Sequence, residues 1–291
     1  MIAVYSKAID DRNAQVIRNL LGILTRSGVD ILIHKTLYDS MTSLPEPVAR
    51  VSGTFSGRDD LHPATRFLIS VGGDGTFLNS INIVRDSGIP VAGVNIGRLG
   101  FLAHITKTDL QESIEKLLTG KLPVEERTLI HATVHGQPAN SFPYALNDVV
   151  IHKSAAGLIT IHTWSNDEFL NSYWADGLIV STPTGSSAYS LSVGGPIVAP
   201  ESQNFIISPI AAHNLNVRPL IIPDNVILRL KTECRDKDRP FTLSLDSHSV
   251  DCANGAEIEL KRADFKVKIV KSASFYATLR NKLMWGVDKR N

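Results

Sequence analysis

The 291 residues carry 30 basic and 29 acidic side chains for a net charge of +1, and 43% of them are hydrophobic. That composition suits a globular protein of two domains or one large one, and it offers no charge run for a nucleic-acid or membrane partner. The opening "MIAVYSKAID" has no secretion-signal pattern, no apolar segment reaches membrane-spanning length, and Cys234 and Cys252 lack metal-ligand spacing. A cytoplasmic protein with buried free thiols is the expectation.

In chain order, "IAVYS" reads as a strand. A helix follows over "DRNAQVIRNLLGILTRSG", where Val16, Leu20, Leu21 and Leu24 recur at helical spacing, Asp10 or Asp11 caps the start and Gly28 ends it. "DILIH" is a second strand, and residues 43–65, rich in Pro, Gly, Ser and charge, read as a long mobile loop. "FLISV" is a third strand, "TFLNSINIVRDSG" a helix stopped at Gly88, and "PVAGVN" a fourth strand. "TKTDLQESIEKLLTG" is a helix opened by a Thr108 to Gln111 capping box and closed at Gly120. Strands alternating with helices imply a parallel sheet.

From about residue 129 the pattern changes to short alternating runs: "LIHATVHG", "LITIHTWSN", "NVILRLKT", "FTLSLDS", "AEIELKR" and "FKVKIVKS", with "ANGAE" as a hairpin turn. The tail "FYATLRNKLMW" returns to helical periodicity. The expected architecture is an α/β domain with a parallel sheet over residues 1–128, a β-rich domain over 129–274, and a helix at 275–291 packing back on the first domain.

The stretch "ISVGGDGTFLNS" sets Asp74 between glycines in a strand-to-helix turn. Thr76 and Phe77 follow the last glycine where a Walker A loop needs Lys and then Ser or Thr, and Leu78 stands where a Rossmann fingerprint needs Gly or Ala. A phosphate-facing helix start formed by Gly72, Gly73 and Thr76 remains, with Asp74 beside it. An ionised Asp there needs a cation between itself and phosphate, or a proton to accept from an attacking hydroxyl. The plain alternative is that Asp74 only shapes the turn or caps the helix.

Two later stretches add polar groups. "ALNDVVIH" places Asn147 and Asp148 at the start of an apolar strand, suited to a base edge and ribose hydroxyls, or to an Asx turn. "WADGLIVSTPTGSSAYSLSVGGPIVAP" lines hydroxyls and glycines after Asp176 and reads as a binding loop leading into a helix. It contains no nucleophile elbow, and the chain has no His-Glu-x-x-His zinc motif.

These residues together resemble the NAD kinase family. "GGDGTFL", "LND", "DGLIVSTPTGSSAYSLSVGGPIVAP", "HNLNVRPLIIP" and "LRNKLMWG" are similar to its segments, while GGDG alone is shared with lipid and sphingoid kinases. The resemblance implies phosphorylation of the 2′-hydroxyl of the adenosine ribose of NAD by ATP, with Mg2+ or another divalent cation, in a homodimer or homotetramer. It implies that Asp74 accepts the hydroxyl proton and that Gly75 and Phe101 line the NAD pocket. Asn147 and Asp148 would bind adenosine, Asp176 would contact the nicotinamide end, and Ser187, Ala188, Tyr189, Ser190, Leu191 and Ser192 would wall adenine and ribose. His248 is a further candidate contact, in "LSLDSHS", where Ser247 stands in place of the family's usual glycine. A lipid kinase of the same loop type and a non-catalytic NAD sensor are the alternatives.

Overall fold

The computed structural model describes residues 1–10, 13–41, 51–97, 100–137, 142–154, 157–234 and 240–286. Asp11 as a cap, residues 43–50 of the expected loop and residues 287–291 of the expected last helix lie outside them. The chain forms two compact units, Met1–Glu126 with Val267–Asn291, and Arg127–Lys266.

The first unit begins with β1 (Ile2–Tyr5), α1 (Ala14–Arg26), β2 (Ile31–His34), α2 (Lys35–Met41) and β3 (Val51–Phe55). It continues through β4 (Phe67–Gly72), α3 (Asp74–Val84), β5 (Val91–Asn95) and α4 (Leu110–Leu118). Its strands run parallel in the order β5-β4-β1-β2-β3. β1, β2 and β5 are buried along their whole length, as a parallel sheet covered on both faces requires. α1 lays Val16, Ile17, Leu20, Leu21 and Leu24 into one core with Leu110, Ile114 and Leu117 of α4. Gly28 and Gly120, just past those helices, take positive φ of 67° and 70°, the left-handed stop glycine supplies.

Several local expectations change. Residues 51–55 of the expected loop form β3, a sheet-edge strand whose "VSGTF" carries too little apolar alternation to announce itself. The Thr108 to Gln111 capping box does not form. The helix starts at Leu110 without a side-chain cap, because Thr108 and Asp109 bond to Thr106 and Gln111 bonds along the helix to Glu115. α1 starts at Ala14 and not at residue 11, with Asp10 and Asn13 exchanging backbone-to-side-chain bonds of 2.8 and 3.0 Å.

The second unit is built from β6 (Val124–Val134), β7 (Tyr144–Ala145), β8 (Asp148–Lys153), β9 (Ile159–Ser165), β10 (Glu168–Ala175) and β11 (Gly177–Ser181). After the one-turn α5 (Tyr189–Ser192) come β12 (Asn204–Ile210), β13 (Leu220–Pro223), β14 (Leu228–Cys234), β15 (Phe241–Leu245), β16 (His248–Cys252) and β17 (Glu257–Val270). One antiparallel sheet runs β10-β9-β14-β17 and a second runs β13-β12-β11-β8-β15-β16. Inward residues of both, among them Ile161, Leu230 and Ile258 from the first and Ile151, Val180 and Leu243 from the second, form one core. β8, β11 and β12 are buried on their other face too, where Val193 packs on Val150, Ile179 and Ile210.

"ANGAE" is not a hairpin turn, because β16 pairs with β15 while β17 pairs with β14. Asn254 in that turn instead bonds both backbone groups of Cys234, the last residue of β14. "AEIELKR" and "FKVKIVKS", read as separate runs, form the single strand β17. Its last residues belong to the first unit, where Ile269 pairs in parallel with Val91 and α6 (Phe275–Leu283) follows.

Candidate active site

In the first unit, β4 ends at Gly72 and α3 begins at Asp74, two residues earlier than helical periodicity indicates. Gly73 is the N-cap in extended conformation, and its carbonyl accepts N–H bonds from Thr76 and Phe77, both 3.0 Å. Thr76 folds its side chain back over Gly72, while a Cβ built at Gly73 or Gly75 meets no atom within 4 Å. The helix start therefore opens onto free space at those two glycines and is closed at Gly72.

Asp74 does not cap its own helix. Its Oδ2 accepts the Phe101 N–H at 2.9 Å, and its Oδ1 accepts those of Leu102 and Ala103 at 3.1 and 3.3 Å. A carboxylate offers about four acceptor positions, so these three donors leave room for roughly one more. The backbone of Gly100 comes so close that an added Cβ would lie 1.9 Å from Oδ1, which explains glycine there. Lys282 of α6 brings its Nζ to 3.7 Å from Asp74 Oδ2 and 4.3 Å from the Phe101 ring centroid. Nothing around Asp74 in the sequence points to Gly100 or Lys282, since the turn and the helix that place them lie 26 and 208 residues from it along the chain.

An alanine at position 75 tests what that glycine is for. Ala is favoured over Gly in a helix by about 0.8–1.0 kcal/mol, and the site is open. Gly75→Ala should hold or raise the thermal midpoint while lowering turnover by roughly tenfold or more, through displacement of whatever lies against the helix start. Unchanged turnover would remove Gly75 from the site.

In the second unit a second carboxylate repeats the arrangement. Asp246, in the β15–β16 turn with φ of 49°, accepts the N–H groups of Leu146 at 2.8 Å, Asn147 at 2.8 Å and Asp148 at 3.2 Å. Positive φ falls on Asp246 and not on Ser247, so serine is accommodated where the resemblance led us to expect glycine. Thr182 holds the same segment from the other side, its Oγ1 donating to Leu146 O at 2.6 Å and its N–H to Asn147 O at 2.9 Å. Gly185 lies against Asn147, where a Cβ would come within 2.1 Å of the carbonyl oxygen. Sequence alone leaves a ligand role for Asp246 open and gives Thr182 none.

Asp148 heads β8 with 6% of its surface exposed and no hydrogen bond to its carboxyl among the described residues. Burial, and then the charge of Asp246, push its pKa up to about 7. Burial also raises Asp246 to about 6, against the lowering effect of its three N–H donors and of His248. The unfolded chain ionises Asp148 near its ordinary value, so its burial favours folding most below about pH 4 and costs stability as pH rises to about 7. Asp148→Asn should therefore raise the thermal midpoint at pH 8, by about 2–4 °C for each kcal/mol regained. The gain should vanish near pH 4, and an equal gain at both values would contradict this reading.

The remaining candidates divide. Ser190 is fully buried and bonds Ser208 Oγ at 3.0 Å, and Ser186 exchanges bonds with both backbone groups of Val198, so these hydroxyls fasten the segment to the sheet. Ser187, Ala188 and Leu191 are half-buried, while Tyr189 and Ser192 are exposed. The segment is a short 3-10 turn over Thr184–Ser187 followed by α5. Asp176 forms an ion pair with Lys153. His248 is exposed beside the Asp246 turn, and Trp174 meets His213 with ring centroids 5.4 Å apart and the rings tilted.

Residues 2–122 match the ATP-NAD kinase N-terminal domain and residues 146–272 match the ATP-NAD kinase C-terminal domain. Proteins named NAD kinase from Cytophaga hutchinsonii and Flavobacterium psychrophilum are each 39% identical to the chain, covering all of it and 100% and 99% of their own lengths. The chain belongs to the ATP-NAD kinase family. Among solved structures it is similar to a yeast NADH kinase complexed with NADH, with a TM-score of 0.84, 24% identity and coverage of 99% of this chain and 88% of that one. It is also similar to an Archaeoglobus fulgidus NAD kinase in complex with ATP, with a TM-score of 0.74, 22% identity and coverage of 98% and 99%. At that identity the two structures speak to the fold the ATP-NAD kinase family shares, an α/β unit with a parallel sheet and an antiparallel β-rich unit.

Proposed function

We propose that the chain phosphorylates the 2′-hydroxyl of the adenosine ribose of NAD with ATP, giving NADP and ADP. The observation that carries the mechanism is Asp74, held by three backbone N–H groups beside a helix start that is open at Gly73 and Gly75. Phosphoryl transfer depends on positioning and on charge stabilisation, and this arrangement supplies a fixed proton acceptor next to N–H groups aimed at phosphate. In the transfer the hydroxyl oxygen bonds to the γ-phosphorus, the bond from that phosphorus to the β-phosphate oxygen breaks, and the hydroxyl proton passes to Asp74.

Asn147 and Asp148, fixed by Asp246 and Thr182, are the groups we assign to adenosine, with the half-buried Ser187 and the exposed Tyr189 and Ser192 beside them. Asp176 and His248 complete the reading as contacts at the nicotinamide end and near the Asp246 turn. Polar recognition of this kind, with a buried carboxyl at its centre, suits a dinucleotide and not a lipid. Among the described residues no group of three His, Cys, Asp or Glu side chains is placed to hold a metal ion. A divalent cation such as Mg2+ fits this donor set as part of the ATP substrate, carried on its phosphates.

A homodimer or homotetramer is supported by apolar exposure at edge strand β13 and the residues before it: Leu215, Leu220 and Ile221 are 88%, 38% and 47% exposed. Light scattering on purified protein checks this, and a monomer at assay concentration would exclude it. Among the described residues no helix is long and apolar enough to cross a membrane, and the two free thiols suit a reducing cytoplasm. The deciding experiment for the activity is NADP formation from NAD, ATP and magnesium, read by an NADP-specific dehydrogenase. Product is expected, and its absence with NAD binding intact would favour a sensor.

A further inference from the structure

The glycine loop of this chain lacks the lysine that a Walker A loop places on the transferring phosphate, since Thr76 and Phe77 follow its last glycine. A loop built around a carboxylate has all the more need of a cation there, because an ionised Asp and a γ-phosphate repel each other.

Lys282 stands beside that carboxylate. Its Nζ lies 3.7 Å from Asp74 Oδ2, close enough for an ion pair and too long for a hydrogen bond. The ammonium sits 4.3 Å from the centroid of the Phe101 ring, which favours a cation on its face. The side chain is 32% exposed, and among the described residues its Nζ makes no hydrogen bond. An ammonium carries three donors, so this one is held by a carboxylate and an aromatic face with its N–H groups still available. The structure thus offers, beside the proposed base, a solvent-reached cation with donor capacity. Asp74 and Lys282 are joined through Phe101, whose backbone N–H holds the carboxylate and whose ring underlies the ammonium.

Resting on the NAD kinase reading above, we propose that Lys282 is a catalytic residue. It donates N–H bonds to the γ-phosphoryl oxygens of ATP as the ribose hydroxyl attacks, so that the last helix supplies the phosphate lysine that the glycine loop lacks. Its charge bridges two anions, the Asp74 carboxylate and the transferring phosphoryl group. No proton leaves it; the hydroxyl proton still passes to Asp74 and ADP still departs with the bridging oxygen.

The test compares wild type with Lys282→Met, which keeps an unbranched stem over Phe101 without the charge, and with Lys282→Arg, which keeps the charge. The readouts are kcat, the dissociation constants of NAD and of the non-hydrolysable β,γ-imido analogue of ATP, and the thermal midpoint. The expected result for Lys282→Met is a kcat roughly 10²-fold lower or more, as for loss of one preorganised donor. Binding of the ATP analogue should weaken several-fold with NAD affinity unchanged within about twofold, and Lys282→Arg should recover part of the loss. Wild-type kcat in Lys282→Met overturns the proposal. So does a variant that loses NAD and analogue binding equally together with thermal stability, the mark of a residue that only anchors α6. If wild type itself makes no NADP, the kinase reading falls first and this proposal with it.

Discussion

Asp74→Asn is expected to lower turnover at least roughly 10²-fold, the lower end of what a positioned general base contributes. An amide takes no proton from an attacking hydroxyl, but the structure adds a second effect. With Nδ2 in place of Oδ2 it would point an N–H at the N–H of Phe101, and in place of Oδ1 it would meet both Leu102 and Ala103. The first arrangement is the better one and leaves a single donor unpaired, at a cost of about 1–3 kcal/mol where water cannot reach it. The variant should therefore show a modest fall in thermal midpoint beside a large fall in kcat, with NAD affinity nearly kept. A kcat within about fivefold of wild type would end the role of Asp74 as proton acceptor, since it lies below the range for such a base. A large loss of NAD affinity with little further loss of kcat would assign Asp74 to loop support instead.

Asp246→Ala is expected to have the larger effect on stability. The substitution removes the acceptor for three adjacent N–H groups at residues 146–148. Water reaching the half-buried turn recovers some of those bonds, so the net cost should be roughly 2–4 kcal/mol. With a urea slope of about 1–3 kcal/mol/M, that is a shift of order 1 M in the midpoint. NAD affinity should fall as well, because the N–H bonds to Asp246 set the direction of the Asn147 and Asp148 side chains. Removing its charge also removes part of what raises Asp148, so the pH dependence of stability should move to lower pH. An unchanged urea midpoint, or full NAD affinity in a destabilised variant, would show that Asp246 does not position the pair.

These two carboxylates mark where sequence reading stopped. Asp74 was singled out because a charge among glycines at a strand-to-helix turn is conspicuous, yet its three donors come from residues 101–103, which no pattern around "GGDG" indicates. Asp246 sits in a two-residue turn like many others, and its partners lie 98 to 100 residues away. Composition does not tell direction, so the hydroxyl-rich segment reads as uniformly ligand-facing. Ser186 and Ser190 turn inward to bond Val198 and Ser208, while Tyr189 and Ser192 face out. β3 carries no strand pattern because an edge strand pairs on one side only and tolerates the Ser, Gly and Thr of "VSGTF". The "ANGAE" turn misled because a turn signal reports that the chain reverses, not which strand it then joins.

Properties set by neighbours along the chain could be determined from the sequence by itself. The alternation of strand and helix before residue 128, the alternating apolar runs after it, the stop glycines Gly28 and Gly120, and the strand-to-helix turn around Asp74 all depend on periodicity and local backbone preference. Only the tertiary structure decided that β17 pairs with β14 by its first residues and with β5 by Ile269, that Asp246 holds Asn147, and that Lys282 reaches Asp74. Those pairings join residues far apart in the chain. Local preference is blind to them, because which distant donor meets which acceptor is settled by the packing of whole elements and the burial of their apolar faces.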